Sequence, residues 1–176
     1  MMKAMQHATL VSVEEYLTSS FRADRDYLEG ELLERNVGEY DHGRVQALLT
    51  IYLGAREPQW RIRTITEQRV QVRTERFRVP DICVLRAGQK VEPVFRQPPF
   101  LCIEILSKDD RMSEMQERID DYLAFGVPYV WVVDPRTRRA YIHTASGAVE
   151  AKDGVLRTAE PELSVPLAEI FQALDE

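Results

Sequence analysis

The 176 residues include only two cysteines and three histidines. A disulfide framework or a thiolate zinc site cannot be built on Cys83 and Cys102 alone. Both lie in apolar, strand-like runs, where a small buried hydrophobe is the expected role. No apolar run approaches the ~20 residues that a transmembrane helix needs. The opening MMKAMQHATLVSVEEYL has no long apolar block and meets acids early, so a signal peptide is not expected. These absences place the chain in the cytoplasm, with no membrane partner. No P-loop or dinucleotide fingerprint is present. Ser107 lacks a G-x-S-x-G context, which sets a serine hydrolase aside.

What is present suits one domain spanning residues 1–176. Hydrophobic residues are 44% and charged residues 30%, enough for a real core and thin for two domains. The net charge of −6 argues against a general nucleic-acid coat. Residues 60–80 nevertheless hold six arginines (61, 63, 69, 73, 76 and 78) against Glu67 and Glu75. That basic ribbon is either a phosphate-contacting surface or the solvated face of a hairpin.

Hydrophobic spacing outlines the elements. A short helix is expected over 13–17, with Ser12 and Glu15 as a capping box. A hairpin is expected around Gly30, then a helix over 41–55 with Val45, Leu48, Leu49 and Tyr52 near a 3.6 period. The period then changes to two: 61–65, 69–73 and 77–79 alternate and read as antiparallel strands with one wet face. Residues 82–85 and 100–106 are more continuously apolar, as strands buried on both faces are. The spacing predicts a helix over 113–125, with Ser113 and Gln116 as a second capping box and Gly126 as its stop. A buried strand over 129–133, a hairpin of 139–144 with 149–152 and a terminal helix over 166–175 complete a mixed α/β or α+β sheet flanked by helices.

Glu104 is the informative residue, because Leu101, Cys102, Ile103, Ile105 and Leu106 surround it. An unpaired carboxylate in such a strand costs several kcal/mol or must take up a proton. A metal, an arginine or lysine, or a strand end open to a cleft would relieve it. Asp81 is a second acid of this kind, following Pro80 and opening the apolar run 82–85. Two adjacent strands can aim both carboxylates at one point, and hard oxygens so placed suit Mg2+ or Mn2+. Separate salt bridges are the alternative.

The same residues carry a resemblance. Tyr27-Leu28-Glu29-Gly30-Glu31-Leu32, Asp41-His42, Val79-Pro80-Asp81-Ile82, Ile103-Glu104-Ile105-Leu106-Ser107 and the run from Tyr122 through Gly126-Val127-Pro128-Tyr129 to Asp134-Pro135 occur in order. In this ordered set the sequence resembles the bacterial family of putative restriction endonucleases, long catalogued as a domain of unknown function, within the PD-(D/E)XK nuclease superfamily. The resemblance spans about residues 11–143. It implies a restriction-endonuclease-like fold and Mg2+- or Mn2+-dependent hydrolysis of DNA phosphodiester bonds. It implies that Asp81 and Glu104 hold the metal with the backbone carbonyl of Ile105, and that Glu31 lies near the site. Two sites acting on two DNA strands would further imply a homodimer.

One position departs from the pattern. Leu106 stands where the short motif has its lysine. The family's alternative lysine, four residues before Tyr122, is Arg118 here, and helical spacing puts Arg118 and Tyr122 on one face. Arginine can neutralise phosphate charge but cannot serve as a base near neutral pH. Lys108 is the other candidate, since it shares strand parity with Glu104 if the strand reaches that far. A catalytically silent module that binds nucleic acid or a protein is the competing expectation, and an accessory protein with purely structural acids is a third. His42 sits where a helix begins and could approach the acids, with a cap or surface role the expected one; His7 is read as part of the tail and His143 as surface. Tyr122, Tyr129 and Trp131 are read as core.

Overall fold

The computed structural model describes residues 10–21, 24–35 and 39–175; His7 lies outside them. Helix α1 (Val13–Thr18) begins at Ser12, whose hydroxyl oxygen accepts the Glu15 amide at 3.1 Å. Strands β1 (Asp26–Leu28) and β2 (Glu31–Leu33) form the expected hairpin, turned by Glu29 and by Gly30 at φ +100°. Helix α2 (Tyr40–Gly54) and a single turn, α3 (Glu57–Trp60), lead into β3 (Ile62–Thr66), β4 (Val70–Arg73), β5 (Arg76–Arg78), β6 (Ile82–Arg86) and β7 (Leu101–Ile105). Helix α4 (Met112–Phe125) precedes β8 (Tyr129–Asp134), β9 (Arg139–Thr144) and β10 (Gly147–Glu150). The chain ends in β11 (Val155–Arg157), β12 (Ser164–Pro166), α5 (Leu167–Phe171) and a 3-10 turn over Gln172–Leu174.

The period-two strands divide between two sheets. One has the order β10-β9-β8-β7-β6-β3, the other β2-β1-β5-β4, and β11 pairs with β12 separately. In the six-stranded sheet only β7 and β8 run parallel, and α4 supplies the crossover that a parallel pair requires. The sheet is buried on both faces, as the continuous apolar runs predicted. Ile82, Leu101, Ile103, Ile105 and Trp131 pack toward Val45, Leu49 and Leu53 of α2 and Ile170 of α5. Cys83, Cys102, Val130 and Val132 face Met115, Ile119 and Tyr122 of α4. Burial of Met115 and Ile119 stabilises α4 on the sheet by about 3–6 kcal/mol together. A smaller aromatic cluster of Tyr16, Tyr27 and Phe77 lies under the second sheet.

Three local expectations are corrected. Helix α4 starts at Met112 with Arg111 as N-cap and no side-chain cap bond, so Ser113 sits inside the first turn. A tight turn delivers the chain there one residue early: the Ser107 amide donates to Asp110 Oδ2 at 2.7 Å and the Asp110 amide to the Ser107 carbonyl at 3.2 Å. The second strand of the late hairpin begins at Gly147 rather than 149, because Thr144 pairs with Gly147 directly. The terminal helix gives up its first residue to β12 and tightens into the 3-10 turn after Phe171. The far end of α4 is as expected: Gly126, at φ +104°, lets Val127 donate back to Tyr122 at 3.0 Å.

Candidate active site

The antiparallel register of β6 and β7 pairs Ile82 with Ile103 and Cys83 with Cys102. Asp81 is the next residue outward on one side and Glu104 on the other, so the two acids meet. Both are buried, Asp81 at 2% exposure and Glu104 at 1%. The Ile105 amide donates to Asp81 Oδ2 at 2.7 Å, which fixes the aspartate across the gap between the strands. Helix α2 holds Asp81 from the other side. His42 Nε2 lies 3.3 Å from Oδ2, and Gln46, one turn on, donates to the Asp81 carbonyl at 3.1 Å. Arg35 forms an ion pair with Oδ1.

Glu104 is served by α4. The Tyr122 hydroxyl donates to Oε1 at 2.6 Å and Arg118 Nη1 lies 3.4 Å from Oε2. The four-residue spacing of Arg118 and Tyr122 therefore does bring both to one carboxylate. A third buried acid, Asp26 of β1, receives the Val79 amide at 2.9 Å and Arg78 Nη1 at 3.0 Å. Its Oδ2 also lies 3.3 Å from Arg118 Nε.

The environments push the two central carboxyls apart. Burial drives Glu104 upward; the Arg118 charge opposes this, the Asp81 charge adds to it, and the carboxyl reaches about 7. Burial would raise Asp81 too, but the His42 hydrogen bond, the Arg35 and His42 charges and the Ile105 amide outweigh it. Asp81 stays below the ordinary carboxylate range. Burial works to lower His42, but the hydrogen bond and charge of Asp81 raise it above its ordinary value. Two adjacent acids with separated affinities for protons are a recurring active-site pattern.

The other predicted site residues lie elsewhere. Strand β7 ends at Ile105, so Lys108 falls in the 107–110 turn rather than on the strand. Its side chain is 65% exposed, with Nζ 3.5 Å from Glu39. Glu31 is exposed on β2, opposite Leu28. Asp26, from the first strand of that hairpin, is the acid that reaches the site. Ile105 lies against Asp81 through its amide. Asp26 and Arg35 were not read from the sequence, and the approach of His42 to the acids was the less expected of its two readings. A polar residue beside the buried Tyr27 was the one available signal for Asp26. The basic ribbon is broken: Arg61, Arg63 and Arg73 are exposed, whereas Arg69, Arg76 and Arg78 turn inward to acids.

The donor set fits a hard divalent cation. Asp81 and Glu104 offer carboxylate oxygens from neighbouring strands, and burial holds Glu104 well above the ordinary carboxylate range. Among the described residues no cluster of three or more His, Cys, Asp or Glu side chains could hold a metal ion. Two carboxylates suit an ion that keeps several of its waters, as Mg2+ does.

Comparison with known proteins gives the family and the fold. The model of the Uma2 family, described as "Putative restriction endonuclease", matches residues 13–173. The chain belongs to the Uma2 family. Membership supports a nuclease function, in a family type that generally uses divalent metals. The fold is shared with the crystal structure of a putative nuclease belonging to DUF820 from Anabaena variabilis. The TM-score is 0.79 at 20% identity, over 93% of this chain and 99% of that one. A cryoEM structure of the DrdV–DNA complex also matches, with a TM-score of 0.43 and 16% identity over 74% of this chain and 11% of that one. No protein of curated function matches the sequence.

Proposed function

We propose that this Uma2 protein is a divalent-cation-dependent nuclease that hydrolyses phosphodiester bonds in DNA. The observation that carries the reading is the cross-strand pair of buried carboxylates, Asp81 and Glu104, with three cationic side chains around it. Asp81 and Glu104 would hold Mg2+ or Mn2+, with the Ile105 carbonyl as a further ligand. The bound cation supplies Lewis acidity and a water of lowered pKa. Arg118 neutralises charge developing on the phosphate. Arg35 and His42, which face Asp81, exchange their carboxylate contact for the phosphate when substrate enters. Water adds at phosphorus, the phosphorus–oxygen bond to the leaving nucleoside breaks, and the leaving oxygen takes up a proton.

Supercoiled plasmid incubated with Mg2+, with Mn2+ and with a chelator tests the reading. Nicking that needs the cation and disappears in Asp81→Asn and Glu104→Gln is expected. Cleavage that persists in both variants rejects it. A homodimer would bring two such sites to the two strands of a duplex, and light scattering showing only monomer would reject that part.

A second reading has one observation in its favour. Among the described residues the lysines are Lys90, Lys108 and Lys152, all exposed. A protein that binds plasmid without any cation-dependent cleavage would be a silent nuclease-fold module.

A further inference from the structure

We propose that Asp26 is a positioning residue that holds the Arg118 guanidinium away from Glu104. The proposal rests on the nuclease reading for the task it assigns to Arg118. A buried arginine facing a single carboxylate closes to roughly 2.7–2.9 Å, commonly with two parallel bonds. Arg118 does not: it stands 3.4 Å from Glu104 and 3.3 Å from Asp26, shared between two acids.

Asp26 is able to compete because it is immobile. It is 1% exposed, sits in a strand, and is tied by the Val79 amide and by Arg78. Arg78 is itself anchored, with Nε 2.8 Å from Asp121 Oδ2. Asp121 lies one turn along α4 from Arg118. Helix α4 thus contributes both Arg118 and Asp121, β5 contributes Arg78, and β1 contributes Asp26. The four charges alternate in a chain, Arg118–Asp26–Arg78–Asp121, whose two ends both lie on α4, and Glu104 touches it at Arg118. Arg118 cannot close onto Glu104 without leaving Asp26. Glu104 Oε2 therefore keeps only the long 3.4 Å contact to Arg118, while the guanidinium waits beside it for a phosphate.

Two measurements on the full chain test this. The first is the metal-free crystal structure of Asp26→Asn, which keeps an acceptor for the Val79 amide and removes the charge. Arg118 should close onto Glu104 to below about 3 Å. An unmoved guanidinium overturns the proposal. The second is Mn2+ calorimetry on the wild type, Asp26→Asn, Arg118→Ala and the double variant. Asp26→Asn should weaken binding about tenfold or more, and should change nothing further in the Arg118→Ala background. Equal weakening in both backgrounds would mean that Asp26 acts only through the fold, and overturns it. Absence of Mn2+ binding in the wild type defeats the nuclease reading, while the Asp26→Asn structure still decides the positioning role. If Asp26→Asn does not fold, Asp121→Asn removes the other anchor of Arg78 and turns Asp26 toward it. The same movement of Arg118 is then expected, and none overturns the proposal.

Discussion

Glu104→Gln is the most informative single change, because the stability difference it makes should grow with pH. The Glu104 carboxyl moves from an ordinary 4.5 to about 7 on folding. The folded chain thus binds a proton there more tightly than the unfolded chain does. Stability from this group is complete below the unfolded value and is lost as pH rises toward 7. At about 1.4 kcal/mol per pH unit the interval corresponds to about 3 kcal/mol. Glutamine keeps the shape and still accepts from Tyr122, but it carries no charge at any pH. In urea unfolding with a chelator present, Glu104→Gln should gain on the wild type by up to about 3 kcal/mol between pH 5 and pH 8. Added Mn2+ at pH 8 should then raise the wild type and leave the variant unmoved. Parallel stability curves for the two proteins would refute the account of Glu104 as a carboxyl that burial pushes upward.

Other outcomes follow from the same contacts. Asp81→Asn removes the counter-ion of buried Arg35 and should cost about 3–5 kcal/mol in denaturant unfolding, with loss of Mn2+ binding by calorimetry. Tyr122→Phe deletes the 2.6 Å bond to Glu104; a hydrogen bond to a charged acceptor at a buried site is worth about 1.5–3 kcal/mol, measurable by the same unfolding. Lys108→Ala should shift stability by less than about 0.5 kcal/mol and leave plasmid nicking at the wild-type rate, since its ammonium group is in solvent.

Much of the scaffold was legible because its signals are local. The acid interrupting 100–106, the Pro-Asp opening of 82–85 and the 3.6 spacing of Arg118 with Tyr122 each specify a side chain's direction within a few residues. The division of the period-two strands between two sheets was not legible. Strands β1, β2 and β5 have three residues each, too few to show which partner they choose. Asp26 and Arg35 were missed for a related reason. Asp26 meets Arg78 across 52 positions and Arg35 meets Asp81 across 46, and no periodicity reports such pairings. The capping box at Ser113 failed because a neighbouring turn, closed by Asp110, set the helix start instead.

Those long separations bear on how the protein is made. Asp81 depends on Arg35 behind it in the chain and on Ile105 ahead of it, and Glu104 depends on Arg118 and Tyr122. A nascent chain that has emerged to residue 100 displays one acid and none of the geometry around the other. The polar centre closes only once α4 has been synthesised and docked, when three of the six strands of the central sheet, β3, β6 and β7, have been made. Contacts of this range form slowly. During synthesis the ribosome-bound chain passes through lengths at which β3, β6 and β7 are complete and Glu104 has neither of its partners from α4.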